Sequence, residues 1–427
     1  MKDDPVRAQY EAYPYPVRDP ADEAKRLITG SPSHIDELNH YIFSGRRNFS
    51  KPFRALVAGG GTGDAAIMLA QQLATVKCPG EVVYIDLSES SSGIAEARAR
   101  ARGLTNVRFV RMSLLGLPDD LGTFDYIDCC GVLHHLNEPQ AGLEALTQVL
   151  ADDGGLGLMV YGEFGRTGVY PMQDMMRSLV PNRSPTIRVE LTKRLLKQLP
   201  ATNWLRRNPF IADHLEQGDA GLFDLFLHAR DRAFRVPEIT RMVNAAGLRP
   251  VTFIEPAFYD PASYLTDPSL LQLMEGFTWM ERCAFAELLA GNMRKHILYL
   301  VTKQNPVSLP DPRDLQAVPI LRDMDGEAFA REFKPGSAIT ASNDGIAIRR
   351  PLPSLAGAIL RRIDGQKTLG ALYMDIAQAT RDLDQRAFVE SFAALFVALN
   401  GVGKMYLRIP EDRRPLNSQG VKRRGSS

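Results

Sequence analysis

Short apolar runs alternate with longer amphipathic stretches along the chain from about residue 54 onward. Strands are predicted at 54–58, 81–86, 106–111, 124–130 and 156–161, and helices at about 64–75, 91–102 and 139–150. Strands that alternate with helices in this way form parallel sheets covered on both faces. The pattern therefore predicts a doubly wound α/β domain.

Two helical insertions interrupt this rhythm, and a smaller unit follows it. A helix at 236–246, a strand at 249–254 and a last strand at 296–302 complete the α/β pattern. The predicted divisions are an amino-terminal cap or lid segment (1–50), the α/β domain (51–304, with insertions at about 163–235 and 256–295), a Pro-rich linker (305–335), a small α+β domain (336–410) and a disordered tail (411–427). A length of 427 residues agrees with more than one core.

Composition excludes several classes of function. The net charge of +1 gives no global attraction to nucleic acid or anionic membranes, and the basic cluster in the tail is typical of a solvated end. No apolar run approaches the roughly 20 residues that span a bilayer, so we expect a cytoplasmic protein without a membrane partner. The four cysteines have no CxxC spacing, and no metal site is predicted.

A glycine run, AGGGTG at 58–63, lies between a predicted strand and a predicted helix. Such a loop lets a cofactor approach the backbone at a helix amino terminus. The spacing is GxGxG, because a dinucleotide-binding GxGxxG would need Gly or Ala where the chain has Asp64. This favours a ligand without a pyrophosphate, and a simple tight turn is the alternative.

Two later strand ends carry candidate contacts for adenosine. Asp86 ends the second strand, where a carboxylate can accept hydrogen bonds from both ribose hydroxyls, as in NAD and S-adenosylmethionine proteins. Helix capping is the alternative for this residue. Met112 and Ser113 end the third strand and could flank an adenine ring, unless they form only an ordinary strand-to-loop transition.

The fourth strand and its loop read FDYIDCCGVLHHLNEP at 124–139. Together with AGGGTG, YIDLSE and GGLGLMVYGE, this segment resembles the class I S-adenosylmethionine-dependent methyltransferases, in particular a bacterial group with a "YE..PYP" amino terminus and a "GVLHHL" loop. The resemblance covers about residues 6–303. It implies a Rossmann-like sheet of seven strands, with S-adenosylmethionine across the carboxyl ends of the first and fourth strands.

The resemblance also implies a set of cofactor-binding residues. They are Gly59, Gly60, Gly61 and Gly63 beside the methionine part, Asp86 and Leu87 at the ribose, Ser113 near the adenine, and Gly131, Val132 and Leu133 beside the sulfonium. The chain departs from the family pattern at two positions. Val57 and Ser113 stand where many members carry acids, and the acid at the first position helps to orient the methionine amino group.

His134 and His135 are candidate catalytic bases, since imidazole can accept a proton near neutral pH. Methyl transfer from a sulfonium is a direct displacement, so positioning and a desolvated pocket can supply most of the rate. The histidine pair is common in the family across unlike substrates. A purely structural role is therefore the alternative.

Three segments are candidates for a lid and an acceptor site. Tyr10, Tyr13 and Tyr15 in YEAYPYP could close over the cofactor or only pack on the sheet edge. Arg166 and Tyr170 follow the fifth strand in a Gly-rich loop that could move. His228 and Arg232 belong to a segment that resembles a "D..LH..DR...VPE" pattern of the same group, and ion pairing onto the core is their alternative.

The sequence thus predicts methyl transfer from S-adenosylmethionine to an N or O atom of a small molecule, peptide or protein. The small domain weakly resembles a winged-helix or PqqD-like peptide-binding module through residues 355–377, which would favour a peptide or protein acceptor. A non-catalytic S-adenosylmethionine-binding regulator and a nicotinamide-dependent oxidoreductase are the alternatives. The oligomeric state stays open.

Overall fold

The computed structural model describes residues 4–181, 183–380 and 383–410. The predicted disordered tail, 411–427, and its basic cluster lie outside the described residues. Within the described part of the chain, no helix combines the length and apolar character needed to cross a membrane.

The central sheet contains seven strands. They are β1 (Phe53–Ala58), β2 (Gly80–Asp86), β3 (Val107–Arg111), β4 (Phe124–Cys130), β5 (Leu150–Tyr161), β6 (Leu248–Phe253) and β7 (Lys295–Thr302). Their order is β3-β2-β1-β4-β5-β7-β6, and β7 is antiparallel to both of its neighbours. The predicted doubly wound α/β sheet is confirmed.

Helices surround the sheet and fill both insertions. In chain order they are α1 (Pro5–Ala12), α2 (Ile35–Tyr41), α3 (Asp64–Thr75), α4 (Glu89–Ala101), α5 (Pro139–Gln148), α6 (Val169–Leu179), α7 (Pro185–Leu196), α8 (Trp204–Arg207), α9 (Asp213–Glu216), α10 (Gly218–Phe226), α11 (Val236–Ala245), α12 (Pro268–Gln272), α13 (Trp279–Ala290), α14 (Gly326–Glu332), α15 (Ala356–Leu360), α16 (Leu369–Ala377) and α17 (Gln385–Asn400). Short 3₁₀ turns join several of them.

Side chains alternate between the two faces of the sheet, as strand geometry requires. Leu56 and Ile127 pack in the core on the face covered by α5, α11 and α13. Val57 and Tyr126 pack on the opposite face, against α2 and α3. Both faces are therefore buried, which explains why these strands read as continuous apolar runs.

Strand β5 begins earlier than predicted. The residues at 150–155, LADDGG, read as a turn, yet Leu150 pairs with Phe124 before a register shift, and Gly155 then pairs with Tyr126. Pairing with a formed neighbouring strand outweighs local turn propensity at this point. The other six strands lie within one residue of their predicted ends.

The first insertion is helical, as its pattern indicated. Helices α6 to α10 enclose a separate apolar cluster that includes Met172, Leu222 and Phe226. A backbone bridge between Gly162 and Phe234 closes the insertion at its base. The insertion therefore forms a compact layer beside the carboxyl end of β5.

The carboxyl-terminal region has its own apolar core, built around α15, α16 and α17. Two antiparallel pairs accompany it: β8 (Val318–Leu321) with β11 (Met405–Arg408), and β9 (Ala338–Asn343) with β10 (Ile346–Pro351). The segment predicted as a linker, 305–335, contains β8 and α14. The sequence pattern did not reveal β8, because a four-residue strand gives little signal until its partner β11 is present. The domain division and the winged-helix likeness stay predictions.

One buried carboxylate ties these regions together. Glu37 of α2 has no exposed surface and accepts hydrogen bonds from the hydroxyls of Tyr299 and Tyr406, each at 2.8 Å. It also forms an ion pair with Arg322, which follows β8, and accepts a hydrogen bond from Ser31 at 2.6 Å. Glu37 thus links the amino-terminal segment, the sheet and the carboxyl-terminal region.

We predict that Arg322→Met destabilises the protein by about 3–5 kcal/mol, because it leaves the buried carboxylate without its cation. Denaturant unfolding followed by circular dichroism measures the change. Arg331→Met is the matched control, since that arginine pairs with Glu327 on an exposed helix face and should leave the unfolding free energy nearly unchanged. Equal effects of the two substitutions would contradict the role assigned to Glu37.

Candidate functional site

The glycine loop turns sharply between β1 and α3. Gly59, Gly61 and Gly63 all have positive φ, at 72°, 52° and 101°. A Cβ on Gly59 would lie 2.5 Å from a methyl group of Val132, so this position has no room for a side chain. Glycine is therefore required both for the backbone conformation and for the approach of the loop to the end of β4.

Asp86 fixes this loop from the neighbouring strand. One of its oxygens accepts a hydrogen bond from the Gly61 amide at 2.8 Å, and the other accepts from the Ser88 amide at 2.8 Å. Burial raises the pKa of Asp86 above its usual value. Each carboxylate oxygen has a second lone pair, so the group can still accept hydrogen bonds from ribose hydroxyls.

A cavity of about 470 Å³ opens at the carboxyl ends of the parallel strands. Eleven of the predicted site residues line it: Gly59, Gly60, Gly61, Gly63, Asp86, Leu87, Ser113, Gly131, Val132, His135 and Tyr15. The remaining seven lie outside its lining: Leu133, His134, Tyr13, Arg166, Tyr170, His228 and Arg232. The structure therefore brings all of the cofactor candidates except Leu133 together at the cavity, and it places most of the lid and acceptor candidates outside the cavity lining.

The amino-terminal segment lies over the cavity. Tyr15 and Pro16 line it, and the Pro16 carbonyl accepts a hydrogen bond from the Thr62 hydroxyl of the glycine loop at 2.8 Å. Arg18 pairs with Asp64 at 2.6 Å, where α3 begins. The segment is thus fixed directly to the loop that it covers.

A second contact of this segment lies over α4. The Glu11 carboxylate accepts hydrogen bonds from the amides of Glu89 at 2.7 Å and Ser90 at 2.9 Å. Burial opposes ionisation, but these bonds, the Ser90 side chain and the nearby Arg7 guanidinium together lower the pKa of Glu11. Tyr13 does not reach the cavity, because its ring stacks on Phe223 in the first insertion at 4.9 Å.

The far end of the cavity, beyond β5, is lined by Tyr10, Tyr161, His135 and Asp224. The Tyr10 hydroxyl donates to Asp224 at 2.9 Å and lies 3.2 Å from Nε2 of His228. Burial raises the pKa of Asp224 to about 7, and it lowers that of His135 to about 4. This end of the cavity therefore holds a carboxyl group that can exchange a proton near neutral pH.

Hydrogen bonds to the backbone fix the tautomers of two neutral histidines. Nδ1 of His135 lies 2.9 Å from the Arg230 carbonyl and must donate to it, which leaves a lone pair on Nε2. Nδ1 of His228 accepts from the Arg230 amide at 3.0 Å, so its Nε2 carries the proton. His228 then donates to Tyr10, and Tyr10 donates to Asp224.

His135, Asp224 and His228 also form a group whose ligand atoms lie within 4.8 Å of one another. A metal-bound imidazole normally donates its other ring N–H, which His135 does and His228 does not. The two rings are stacked at 3.8 Å with planes 12° apart, so one ion cannot lie in both ring planes. The group therefore does not fit a metal ion held by both rings.

The other predicted residues of this region act around the cavity. His134 is fully buried and stacks on Tyr161 at 3.9 Å. Arg166 pairs with Asp231 at 2.6 Å and lies 3.7 Å from the Tyr161 ring, and its Nε donates to the Tyr170 hydroxyl. These contacts hold Tyr161 at the cavity wall.

Arg232 lies at the surface and pairs with Glu238 at 2.9 Å. This contact agrees with the alternative of ion pairing onto the core. Sequence reasoning also missed two cavity residues, Asp224 and Asp128. The first opens the "D..LH..DR" pattern, and the second is an acid within an otherwise apolar strand, so both carried a signal.

Comparison with known proteins agrees with this geometry. Residues 56–156 match the family model described as "Methyltransferase domain". An uncharacterized protein of Synechococcus sp. is 32% identical over 253 residues, which cover 57% of this chain and 58% of that protein. Demethylmenaquinone methyltransferase of Geobacillus kaustophilus is 38% identical over 113 residues, which cover 24% of this chain and 47% of that enzyme. The chain thus spans about half the length of these curated relatives.

A solved structure shares the fold over most of the chain. PKMT2 from Rickettsia typhi in complex with AdoHcy superposes with a TM-score of 0.62 at 15% identity, covering 88% of this chain and 76% of that chain. At this identity the likeness concerns the fold alone. Residues 56–156 thus match a methyltransferase domain, they lie within a seven-stranded Rossmann-like sheet, and the cofactor of such domains is S-adenosylmethionine.

Proposed function

We propose that the whole protein is an S-adenosylmethionine-dependent methyltransferase that acts on an N or O atom of its acceptor. One observation carries the proposal: a single cavity joins the glycine loop and Asp86 to a separate end lined by Tyr161 and Asp224. A protein that only binds the cofactor needs the first end alone. The second end offers room for an acceptor beside the cofactor's reactive group.

Cofactor binding follows the order of the strands. The ribose hydroxyls would bond to Asp86, the adenine would lie near Ser113 at the end of β3, and the methionine part would lie over Gly59 and Gly61. The amide groups of the loop and the amino terminus of α3 favour a ligand with a carboxylate at this point. Val132, which packs on Gly59, would border the sulfonium.

The chemistry at the far end needs positioning and a proton acceptor. In the displacement, the acceptor atom bonds to the methyl carbon while the carbon–sulfur bond breaks, and the sulfonium charge is lost. An acceptor N–H or O–H must also lose a proton, and Asp224 has a pKa near the operating pH that such a base requires. His135 offers a second lone pair, at Nε2, in the same wall.

The acceptor is a peptide, a protein or a small metabolite. Asp224 of α10 brings the helical layer formed by α6 to α10 to the far end of the cavity, where a group of the acceptor would bind. The carboxyl-terminal region contacts the amino-terminal segment through Glu37. It is therefore in a position to orient a larger acceptor.

The two alternatives differ in how well they agree with the fold. A nicotinamide-binding sheet has the parallel order 3-2-1-4-5-6, whereas this sheet contains the antiparallel strand β7 between β5 and β6. The GxGxG spacing opposes it as well. A non-catalytic S-adenosylmethionine-binding regulator would bind the cofactor and show no methyl transfer with any acceptor.

We predict that the purified protein binds S-adenosylmethionine and S-adenosylhomocysteine in the micromolar range in calorimetric titrations. Asp86→Ala should weaken both affinities at least about tenfold, because it removes two charge-assisted hydrogen bonds. Gly61→Val should do the same, since a side chain is strained at φ 52° and faces the Tyr15 carbonyl.

Asp174→Ala, at an exposed position of α6, is the control and should bind both ligands as the wild type does. Absence of heat with either ligand in the folded wild type would overturn the proposal. Tight binding of a nicotinamide cofactor instead would favour the oxidoreductase.

We predict a pH-dependent effect of Asp224→Asn on stability. The folded-state pKa of Asp224, about 7, lies above its usual value of 3.8, so the folded protein holds this proton where the unfolded chain has lost it. That stabilisation is full at low pH and is lost as the pH rises toward 7. Asp231 and Asp213 add to the shift, and Arg166 opposes it.

The asparagine variant, which is always neutral, should therefore gain about 2–3 kcal/mol relative to the wild type between pH 5 and pH 8. Denaturant unfolding at both pH values measures this difference. Asp174→Asn, on the surface, is the control, and its unfolding free energy should differ from that of the wild type by the same amount at both pH values. A pH-independent effect of Asp224→Asn would show that the carboxyl group titrates normally.

A further inference from the structure

A second buried acid, Asp128, borders the cavity at the carboxyl end of the central strand β4. Its relative exposure is 2%, and it lines the cavity near the glycine loop. In the parallel register it stands beside Val57 of β1 and Gly157 of β5. Asp128 and Val57 therefore point to the same face, side by side.

Asp128 has no cation of the protein as a partner. Ser33 donates to its Oδ2 at 2.5 Å, and the Cys130 thiol lies 3.6 Å from the same oxygen. Among the described residues no Lys, Arg or His nitrogen lies within ion-pair distance of it. Burial raises the pKa of Asp128 to about 6. A buried carboxylate without a cation is costly unless a ligand supplies the charge.

The strand order gives the position of this acid relative to the ribose site. Asp86 ends β2, the glycine loop follows β1, and Asp128 lies near the end of β4. Neighbouring strands are roughly 4.8 Å apart, so Asp128 lies two strands, or about 10 Å, beyond Asp86. A ligand that starts at Asp86 and passes over the glycine loop brings its methionine end to Asp128. That end carries an ammonium group.

We infer that Asp128 binds the ammonium group of the methionine part of S-adenosylmethionine, in place of a carboxylate on β1. The inference rests on the proposed function. Val57, the in-register neighbour on β1, offers no charge or hydrogen bond to the ligand. Asp128 lies one strand away from Val57, on the same face of the sheet, at a position where the same ligand group can reach it.

Asp224 is a further buried acid that lines the cavity and has a raised pKa, and it provides a matched comparison. It lies beyond β5, on α10, with its oxygens 2.9 Å from Tyr10 and 3.5 Å from Tyr161. The two acids therefore lie in different parts of the same cavity, Asp128 on β4 and Asp224 on α10, and Met159 and Tyr161 of β5 line it as well. A ligand whose ammonium lies at Asp128 leaves Asp224 to the acceptor.

The test compares two ligands that differ in one group: S-adenosylhomocysteine and its analogue with hydrogen in place of the amino group. Calorimetric titration gives both dissociation constants for wild type, Asp128→Asn and Asp224→Asn. Asp128→Asn removes a buried charge-assisted contact, so it should weaken the affinity for S-adenosylhomocysteine about 10- to 100-fold. The affinity of the same variant for the analogue should stay within about twofold of the wild-type value. Asp224→Asn should change the affinities for the two ligands by the same factor.

Equal weakening of both ligands by Asp128→Asn would overturn the inference, since it would show that Asp128 only supports the fold of the site. Unchanged S-adenosylhomocysteine binding in that variant would overturn it as well. Failure of the wild type to bind S-adenosylhomocysteine at all would instead count against the proposed function, so the two failures are distinguishable.

Two further measurements do not depend on the folding of Asp128→Asn. The wild type must prefer S-adenosylhomocysteine over the analogue by at least about tenfold, and equal affinities would contradict the inference. The exchange variant Val57→Asp/Asp128→Val returns an acid to β1 and should keep that preference, whereas Asp128→Val alone should lose it. Persistence of the preference in Asp128→Val would assign the ammonium to another group.

Discussion

The burial of both faces of a parallel sheet decides where this protein can hold polar groups. Helices cover both faces of the sheet, so the strand interiors carry mainly apolar side chains and the polar groups of the site lie at the strand ends. The carboxyl ends of β1 to β5 all meet at one edge, and the glycine loop, Asp86, Asp128 and Tyr161 follow from that single arrangement. The cavity exists because five parallel strands stop together and the chain must turn away from each of them.

The amino-terminal segment turns this open edge into an enclosed site. It is attached by buried charges instead of by apolar contacts alone: Arg98, which is 1% exposed, bonds to Glu23 and to Asp64 at 2.7 Å each. Glu37 makes the corresponding attachment to the sheet and to the carboxyl-terminal region. Buried ion pairs of this kind fix one arrangement strictly, because any displacement leaves a charge without a partner. The segment that covers the cofactor end is thereby coupled to the rest of the chain.

The far end of the cavity shows how one environment gives similar groups different properties. His135 and His228 are stacked and both buried. The Arg230 carbonyl accepts from Nδ1 of His135, whereas the Arg230 amide donates to Nδ1 of His228, so Nε2 carries a lone pair in the first ring and a proton in the second. Asp224 and Asp128 are both buried acids, and they face different parts of the cavity. The division of labour that we propose, with Asp128 for the cofactor and Asp224 for the acceptor, follows from the strand or helix that carries each one.

The sequence by itself determined the α/β class, most strand ends, the glycine loop and Asp86, because each depends on local periodicity or on residues adjacent in the chain. Tertiary structure decided the rest. The early start of β5, the strand β8 inside the expected linker, and the contact of Tyr10 with Asp224 all join positions far apart in sequence. The same holds for His134 and His135, which are neighbours in the chain but lie on different sides of the cavity wall. A local sequence pattern does not show which distant segment will pack against it, and the burial and the pKa of a side chain depend on that packing.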